Sequence, residues 1–461
     1  MSDLSTRSRL ASVAEVVAVL IAFVGAALVA RFDAGLSGAW VLVGVGSAIP
    51  LYLVGRGWRL PWWLHLGAAW LASAVLLASA VSGYGDGAAR ASRYAYGAMI
   101  LLAVVAWARD PARRLVAASG VILLTADDYL TAWWPWWGSN DAIKSMFGNY
   151  YTQNVFATSL VIGAAVAIVL VVAGRRLFVF AAFVVTCLAG AGILASGSRA
   201  GLLLLGVALL AGLFFGIIAR GWRGAVRAVV LALAIPATAM FMTSAIFFSN
   251  SGNVFGITRR VEDAGASIAG RITFWENAVR FGAEAPLTGH GLKSFGRLLQ
   301  CVDADRYSSN AHNESLLAWA ETGIVGLIPF LAIIVGVVLI VLRSFGTGAR
   351  DERRFRFVPS RDEVLADPAR WGALVALVLA LVHMHFDFDW VYPAIIGVTA
   401  YAGGIAAAPL VSVRPRGAAM TAVNVVLVTV LVAAAVVGFA IDPLPGEPLL
   451  PVSFEQAGCT P

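Results

Sequence analysis

Thirteen apolar runs follow one another along the chain, at residues 11–30, 36–54, 62–82, 94–108, 115–130, 154–173, 177–195, 201–219, 226–248, 315–342, 371–382, 391–410 and 419–440. A peptide group in hydrocarbon has no water to bond, so a chain built this way has to satisfy its backbone inside each segment. A helix crosses a bilayer in roughly 17 to 25 residues. The chain is therefore expected to be an all-α, polytopic membrane protein of about 12–13 transmembrane helices, the fifth and eleventh runs carrying the weakest pattern. Composition agrees: 13% of residues are charged and the mean hydropathy is +0.83, whereas an ordinary soluble domain carries about 25% charged residues. The first run leads into Arg31 rather than into a small-residue cleavage site, so it is expected to stay as a helix.

Lysine and arginine between spans set orientation, because basic loops remain cytoplasmic. Arg7 and Arg9, the 56–59 loop, the 109–114 loop, Arg175 and Arg176, the 220–227 loop, the 343–370 segment and the 414–416 loop all fall on one side of a thirteen-span chain. Arg31, Arg90 and Arg93 fall on the other side, as exceptions. The net charge of +7 is thus mostly the inside bias. It predicts attraction to anionic lipids of the surrounding membrane, and no nucleic-acid partner.

The opposite side receives most of the chemistry. The chain divides into N-terminal transmembrane helices (1–248), an extracytoplasmic loop (249–314), C-terminal transmembrane helices (315–441) and an extracytoplasmic tail (442–461). Within the loop, residues 270–281 read as an amphipathic helix: Ile272, Trp275 and Val279 share one face, with Arg271, Glu276 and Arg280 supplying polarity. Such a helix lies on a bilayer or lids a cavity. Cys301 and Cys459 both fall on this side, where a disulfide is chemically permitted, but no spacing rule fixes their distance. Cys187 sits in an apolar run and reads as packing.

Three side chains at this outer rim are candidate catalytic groups. His312 stands in Ser309-Asn310-Ala311-His312-Asn313-Glu314, just before the tenth span. A histidine, with an ordinary pKa of about 6.5, suits proton transfer at neutral pH. The bland alternative is an interface histidine that bonds a carbonyl, with Asn310 or Asn313 capping the helix. Arg199, among small residues at the end of a span, and Arg271, four residues before Trp275, offer planar guanidinium groups that match phosphate. Each alone is more readily an arginine snorkelling to lipid headgroups, and it is their combination with the histidine that shifts the balance toward phosphate binding. Two acidic pairs, Asp303 with Asp305 and Asp387 with Asp389, have the oxygen chemistry of a magnesium site but also the look of ordinary polar loops, and no catalytic metal is expected. His383, His385 and Tyr392 beside the second pair are candidates for lining an acceptor cavity. The cluster Trp133-Trp134-Pro135-Trp136-Trp137 reads first as an interfacial aromatic belt and second as a sugar-stacking platform.

Four stretches resemble the O-antigen ligase and polymerase superfamily: Phe147-Gly148-Asn149 with Gln153-Asn154-Val155-Phe156-Ala157; Ser196-Gly197-Ser198-Arg199-Ala200-Gly201; Arg271-Ile272-Thr273-Phe274-Trp275 through Pro286-Leu287-Thr288-Gly289-His290-Gly291; and Ala311-His312-Asn313-Glu314-Ser315-Leu316-Leu317 followed by Glu321-Thr322-Gly323. The resemblance implies a GT-C-like fold and an inverting, metal-independent glycosyltransferase of the bacterial inner membrane, with its active site on the periplasmic side and no cofactor. It implies an undecaprenyl-diphosphate-linked glycan as donor and, for a ligase, a lipid A-core sugar as acceptor. By the same resemblance His312 is the general base, Arg199 and Arg271 bind the diphosphate, and Asn149, Tyr150, Gln153, Asn154, Trp275, Asn313, His383 and His385 are substrate-binding candidates. An O-antigen polymerase or a protein O-oligosaccharyltransferase would use the same machinery. The short tail after the last span leans the expectation toward ligase. A non-enzymatic transporter of the lipid-linked glycan would be expected to carry charges within its mid-membrane segments, whereas here they gather at the rim.

Overall fold

A computed structural model describes residues 2–32, 38–81, 88–138, 152–174, 176–247, 264–302, 308–346, 358–387, 390, 392–411 and 417–441. The described residues form helices with no strand. In chain order they are α1 (Ser2–Phe32), α2 (Gly38–Val54), α3 (Trp62–Val81), α4 (Ala88–Trp107), α5 (Pro111–Gly138), α6 (Gln153–Ala173), α7 (Arg176–Ser196), α8 (Arg199–Arg220) and α9 (Trp222–Phe247). There follow α10 (Ala264–Glu284), α11 (Ser294–Val302), α12 (Glu314–Gly346), α13 (Arg361–Ala366), α14 (Pro368–His383), α15 (Pro393–Ala407) and α16 (Ala418–Ile441). Eight of these helices are long and apolar enough to cross a membrane, and five have shorter apolar stretches, at 40–54, 62–78, 92–107, 368–383 and 393–407. The fifth run expected from the sequence is among the eight, and the eleventh is among the five.

Helix α6 is apolar on every side beyond its first two residues, and the structure places it at the centre, where residues 155–173 are buried. It packs on α5, α7, α8 and α14. Close approach there depends on small residues: a Cβ on Gly372 of α14 would come within 2.8 Å of the Val166 carbonyl oxygen. A second group gathers around α4, which meets α2, α3, α15 and α16.

The expected clustering of basic loops is visible in their contacts. Glu15 of α1 accepts from Trp107 Nε1 at 2.8 Å and pairs with Arg113 at 2.7 Å. Arg114 pairs with Asp367 at 2.7 Å, both of them buried. Arg220 donates to the carbonyls of Ala173 and Gly174, and Arg361 to that of Ala219. These bonds tie residues 108–114, 173–174, 219–220 and 361–367 and Val411 into one basic end. Arginines there satisfy the last carbonyls of helices, as cationic side chains commonly do at a helix C-terminus.

At the other end α10 and α11 cover the start of α12, and the 21-residue α10 begins upstream of the helix expected from the sequence. Phe274, Ala278 and Phe281 on its inner face pack with Phe295, Leu299, Leu317 and Ala320. Ile268, Ile272 and Val279 lie exposed on another face, an apolar stripe suited to lipid contact.

The motif residues 286–291 and 321–323 turn out to be two sides of one backbone seam. Helix α12 breaks at Gly323, whose φ of 55° and ψ of −158° are not helical. The break frees two N–H groups, and Ile324 and Val325 donate to the carbonyls of Pro286 and Leu287. It also frees two carbonyls, and Ala320 and Glu321 accept from His290 and Gly291. Main chain meets main chain so closely that a Cβ on Gly323 would lie 2.5 Å from the Leu287 carbonyl carbon. Only glycine combines that φ with that lack of bulk.

Candidate active site

His312 lies in a turn between α11 and α12 with φ +52°, a left-handed conformation that histidine tolerates better than most residues. Two contacts from α10 hold it there. Trp275 Nε1 donates to the His312 carbonyl at 3.4 Å, and the Phe274 ring stacks on the imidazole with centroids 5.9 Å apart. Asn313 then starts α12 as its cap, its side-chain oxygen accepting from the Leu316 N–H at 3.0 Å.

The turn after α14 supplies the imidazole's partner. Asp387 is 1% exposed and its Oδ1 lies 3.0 Å from His312 Nδ1. A carboxylate can only accept, so Nδ1 carries the hydrogen and Nε2 is left as the basic nitrogen. Arg271 on α10 places a guanidinium nitrogen 3.8 Å from the other carboxylate oxygen. Burial by itself would raise the Asp387 pKa. The hydrogen bond from His312 and the charges of His312, His383 and Arg271 outweigh it and bring the group to about 2.

Consecutive residues at the start of α12 stitch this turn in place. Glu314 donates its N–H to the Met384 carbonyl at 2.9 Å and accepts the Trp390 N–H on Oε1 at 2.8 Å, so one residue brackets Asp387 on both sides. Asn313 Nδ2 donates to the His385 carbonyl at 3.0 Å. The Ser315 hydroxyl lies 3.2 Å from His385 Nε2, while His385 Nδ1 donates to the Leu381 carbonyl at 2.8 Å. His385 and Asn313 thus hold the frame around His312 and Asp387.

The remaining candidates sit beside this frame. His383 is buried and its Nδ1 lies 2.8 Å from the Thr158 hydroxyl of α6, so its ring faces the helix bundle. Thr158 in turn donates to the Asn154 carbonyl, and the Asn154 side chain accepts from Ser198, the N-cap of α8. Through Ser198 this chain of bonds reaches Arg199, which is exposed in the first turn of α8. Gln153 is partly exposed at the start of α6. Arg271 and His312 therefore meet on Asp387, and Arg199 shares their end of the bundle without joining that contact. Asn149, Tyr150, Asp303, Asp305, Asp389 and Cys459 lie outside the described residues, as do the side chains of residues 134–137. Among the described residues no three His, Cys, Asp or Glu side chains gather as a metal-binding group.

Residues 183–331 match the family model described as O-Antigen ligase. This match places residues 183–331 with the O-antigen ligase superfamily. This ligase-family domain contains Arg199, Arg271 and His312, while Asn154, His383, His385 and Asp387 lie outside the matched residues. It associates the chain with ligase- or polymerase-type activity in a membrane. No curated protein matches the chain.

Asp387 is the residue that sequence reasoning misplaced. In sequence it is one of two acids near two histidines, a pair that reads as acceptor lining rather than as a metal site, and the structure turns it inward against His312. Burial of an acid in a turn that follows an apolar helix was the available signal. Its partner, 75 positions away, was not legible from spacing.

Proposed function

We propose that the protein transfers a glycan from undecaprenyl diphosphate to a hydroxyl of a lipid A-core sugar at the periplasmic face of the bacterial inner membrane. The carrying observation is the His312–Asp387 pair at 3.0 Å with Arg271 on the same carboxylate. The acceptor O–H gives its proton to His312 Nε2 as its oxygen attacks the anomeric carbon. The bond from that carbon to the diphosphate oxygen breaks, its electron pair leaves with the diphosphate, and the carbon inverts. Asp387 stabilises the imidazolium that forms and holds the ring in the tautomer that leaves Nε2 basic. Arg271 and Arg199 offset the charge that develops on the leaving diphosphate. Cys301 on α11 is disulfide-bonded, and such bonds belong to oxidising compartments, which favours a periplasmic orientation for this end.

The test is transfer by the purified chain in lipid nanodiscs, with lipid-diphosphate-linked glycan and lipid A-core supplied, comparing wild type with His312→Ala. Normal transfer by His312→Ala would remove the proposed base. In a deletion strain, lipopolysaccharide lacking all capped core with lipid-linked polymer accumulating identifies a ligase. Core bearing a single repeat identifies a polymerase instead.

A further inference from the structure

Arg93 counts by orientation rules as a basic residue on the wrong side of the membrane. In the structure it is 3% exposed, near the start of α4, and it lines a cavity of about 20 Å³ together with Glu314 and Glu321, each 2% exposed. Leu71, Val75 and Phe330 form apolar walls. A cavity of this size has room for about one water. Three charged side chains in so little space have to compensate one another, because a buried charge without a partner is among the costliest features a fold can carry.

The two carboxylates have duties that converge on the catalytic pair. Glu314 Oε1 holds the Trp390 N–H at 2.8 Å, three residues beyond Asp387, and Glu314 itself is two residues beyond His312. Glu321 Oε1 accepts the Phe295 N–H at 3.4 Å and so anchors the start of α11, and its backbone carbonyl belongs to the seam at Gly323. The two glutamates are seven residues apart, which puts them on one face of the first turns of α12, the face that lines this cavity. The indole of Trp390 closes the same cavity, packed on Tyr94 at 6.5 Å and on Phe330 at 5.4 Å.

We propose that Arg93 is a positioning residue for the transfer reaction: a buried counter-charge that keeps Glu314 and Glu321 in place as clamps on the Asp387 turn and on α11. It touches no substrate. It acts on the reaction by holding the Asp387 turn at hydrogen-bonding distance from His312. The inference rests on the transferase reading above, and a planar guanidinium offers facing carboxylates a fixed fork of donors that lysine reproduces only in part.

The experiment measures transfer kinetics in nanodiscs for wild type, Arg93→Met, Arg93→Lys and Arg93→Met combined with Glu321→Gln. Arg93→Met is expected to lower kcat on the order of 10- to 100-fold, the scale of a displaced catalytic group, with the donor KM within about twofold of wild type. Arg93→Lys recovers part of the loss. Glu321→Gln restores kcat to the Met variant, because glutamine keeps the acceptor for the Phe295 N–H while removing one of the two negative charges. If Arg93→Met does not purify as folded protein, the double variant carries the test: it folds and turns over if Arg93 is a counter-charge. A Met variant with wild-type kcat, a loss confined to KM, or a double variant as impaired as the single would each overturn the proposal. Absence of transfer by wild type in the same assay would instead sink the transferase reading.

Discussion

Replacing Asp387 by asparagine keeps the shape of the side chain and removes its charge. The residue accepts from His312 Nδ1 at 3.0 Å and has Arg271 at 3.8 Å, with 1% of its side chain exposed, so water cannot take over its role. A hydrogen bond to a charged group contributes about 1.5–3 kcal/mol. At about 1.4 kcal/mol per decade, losing that stabilisation of the imidazolium lowers kcat by roughly 10- to 150-fold. The amide also offers an N–H that favours the wrong tautomer of His312, which pushes the loss toward the upper end. The assay is steady-state transfer in nanodiscs at saturating acceptor, with kcat and donor KM resolved separately and folding monitored by thermal denaturation. The wild-type acid has a pKa brought down from 3.8 to about 2. Its contribution to stability is therefore complete above about pH 4 and is lost as pH falls from there toward 2, so no limb of the activity profile between pH 5 and 9 belongs to it. Folded Asp387→Asn protein with wild-type kcat, or with a change in KM alone, would refute the reasoning.

Further outcomes follow from the same geometry. His312→Asn should fold, since asparagine accepts the left-handed φ of +52°, yet lose transfer by about 10²- to 10⁴-fold; retained activity would show that the imidazole moves no proton. Gly323→Ala should lower the melting temperature sharply or prevent folding, because strain of about 1–3 kcal/mol adds to a clash with Leu287. Gly336→Ala in the same helix, with nothing within 4 Å of the new Cβ, should be neutral or stabilising by about 0.5–1 kcal/mol. Asp367→Ala should cost about 3–5 kcal/mol in thermal or denaturant unfolding by stranding buried Arg114 at the basic end, with donor KM unchanged. Transfer should persist in EDTA, and activity lost to chelator and restored by magnesium would overturn the metal-free chemistry.

The helices were legible because a membrane leaves the backbone few choices, and apolar length alone marks a crossing. Legibility fell where length ran short: residues 371–382 gave a weak pattern, and α14 is one of the five shorter apolar helices. Arg271 and His312 were readable as chemistry, but what they share was not, since Asp387 reaches them only through folding. Asn154 and His383 are substrate-binding candidates by the family resemblance, which says nothing of how they pack. The structure uses both in a hydrogen-bond chain joining α6, α8 and α14. Arg93 reads in sequence as an exception to a charge rule, since the two glutamates that share its cavity lie more than two hundred positions away.

The join between residues 286–291 and the break at Gly323 is made of four main-chain bonds, which carry no memory of side-chain identity. Drift in most of the flanking residues leaves such a join intact. Adding or deleting one residue on either strand does not, because the register slips and every helical position beyond the slip turns by about 100°. Length in these two segments is thus under tighter constraint than composition, and an indel tolerated in one would call for a matching change in the other.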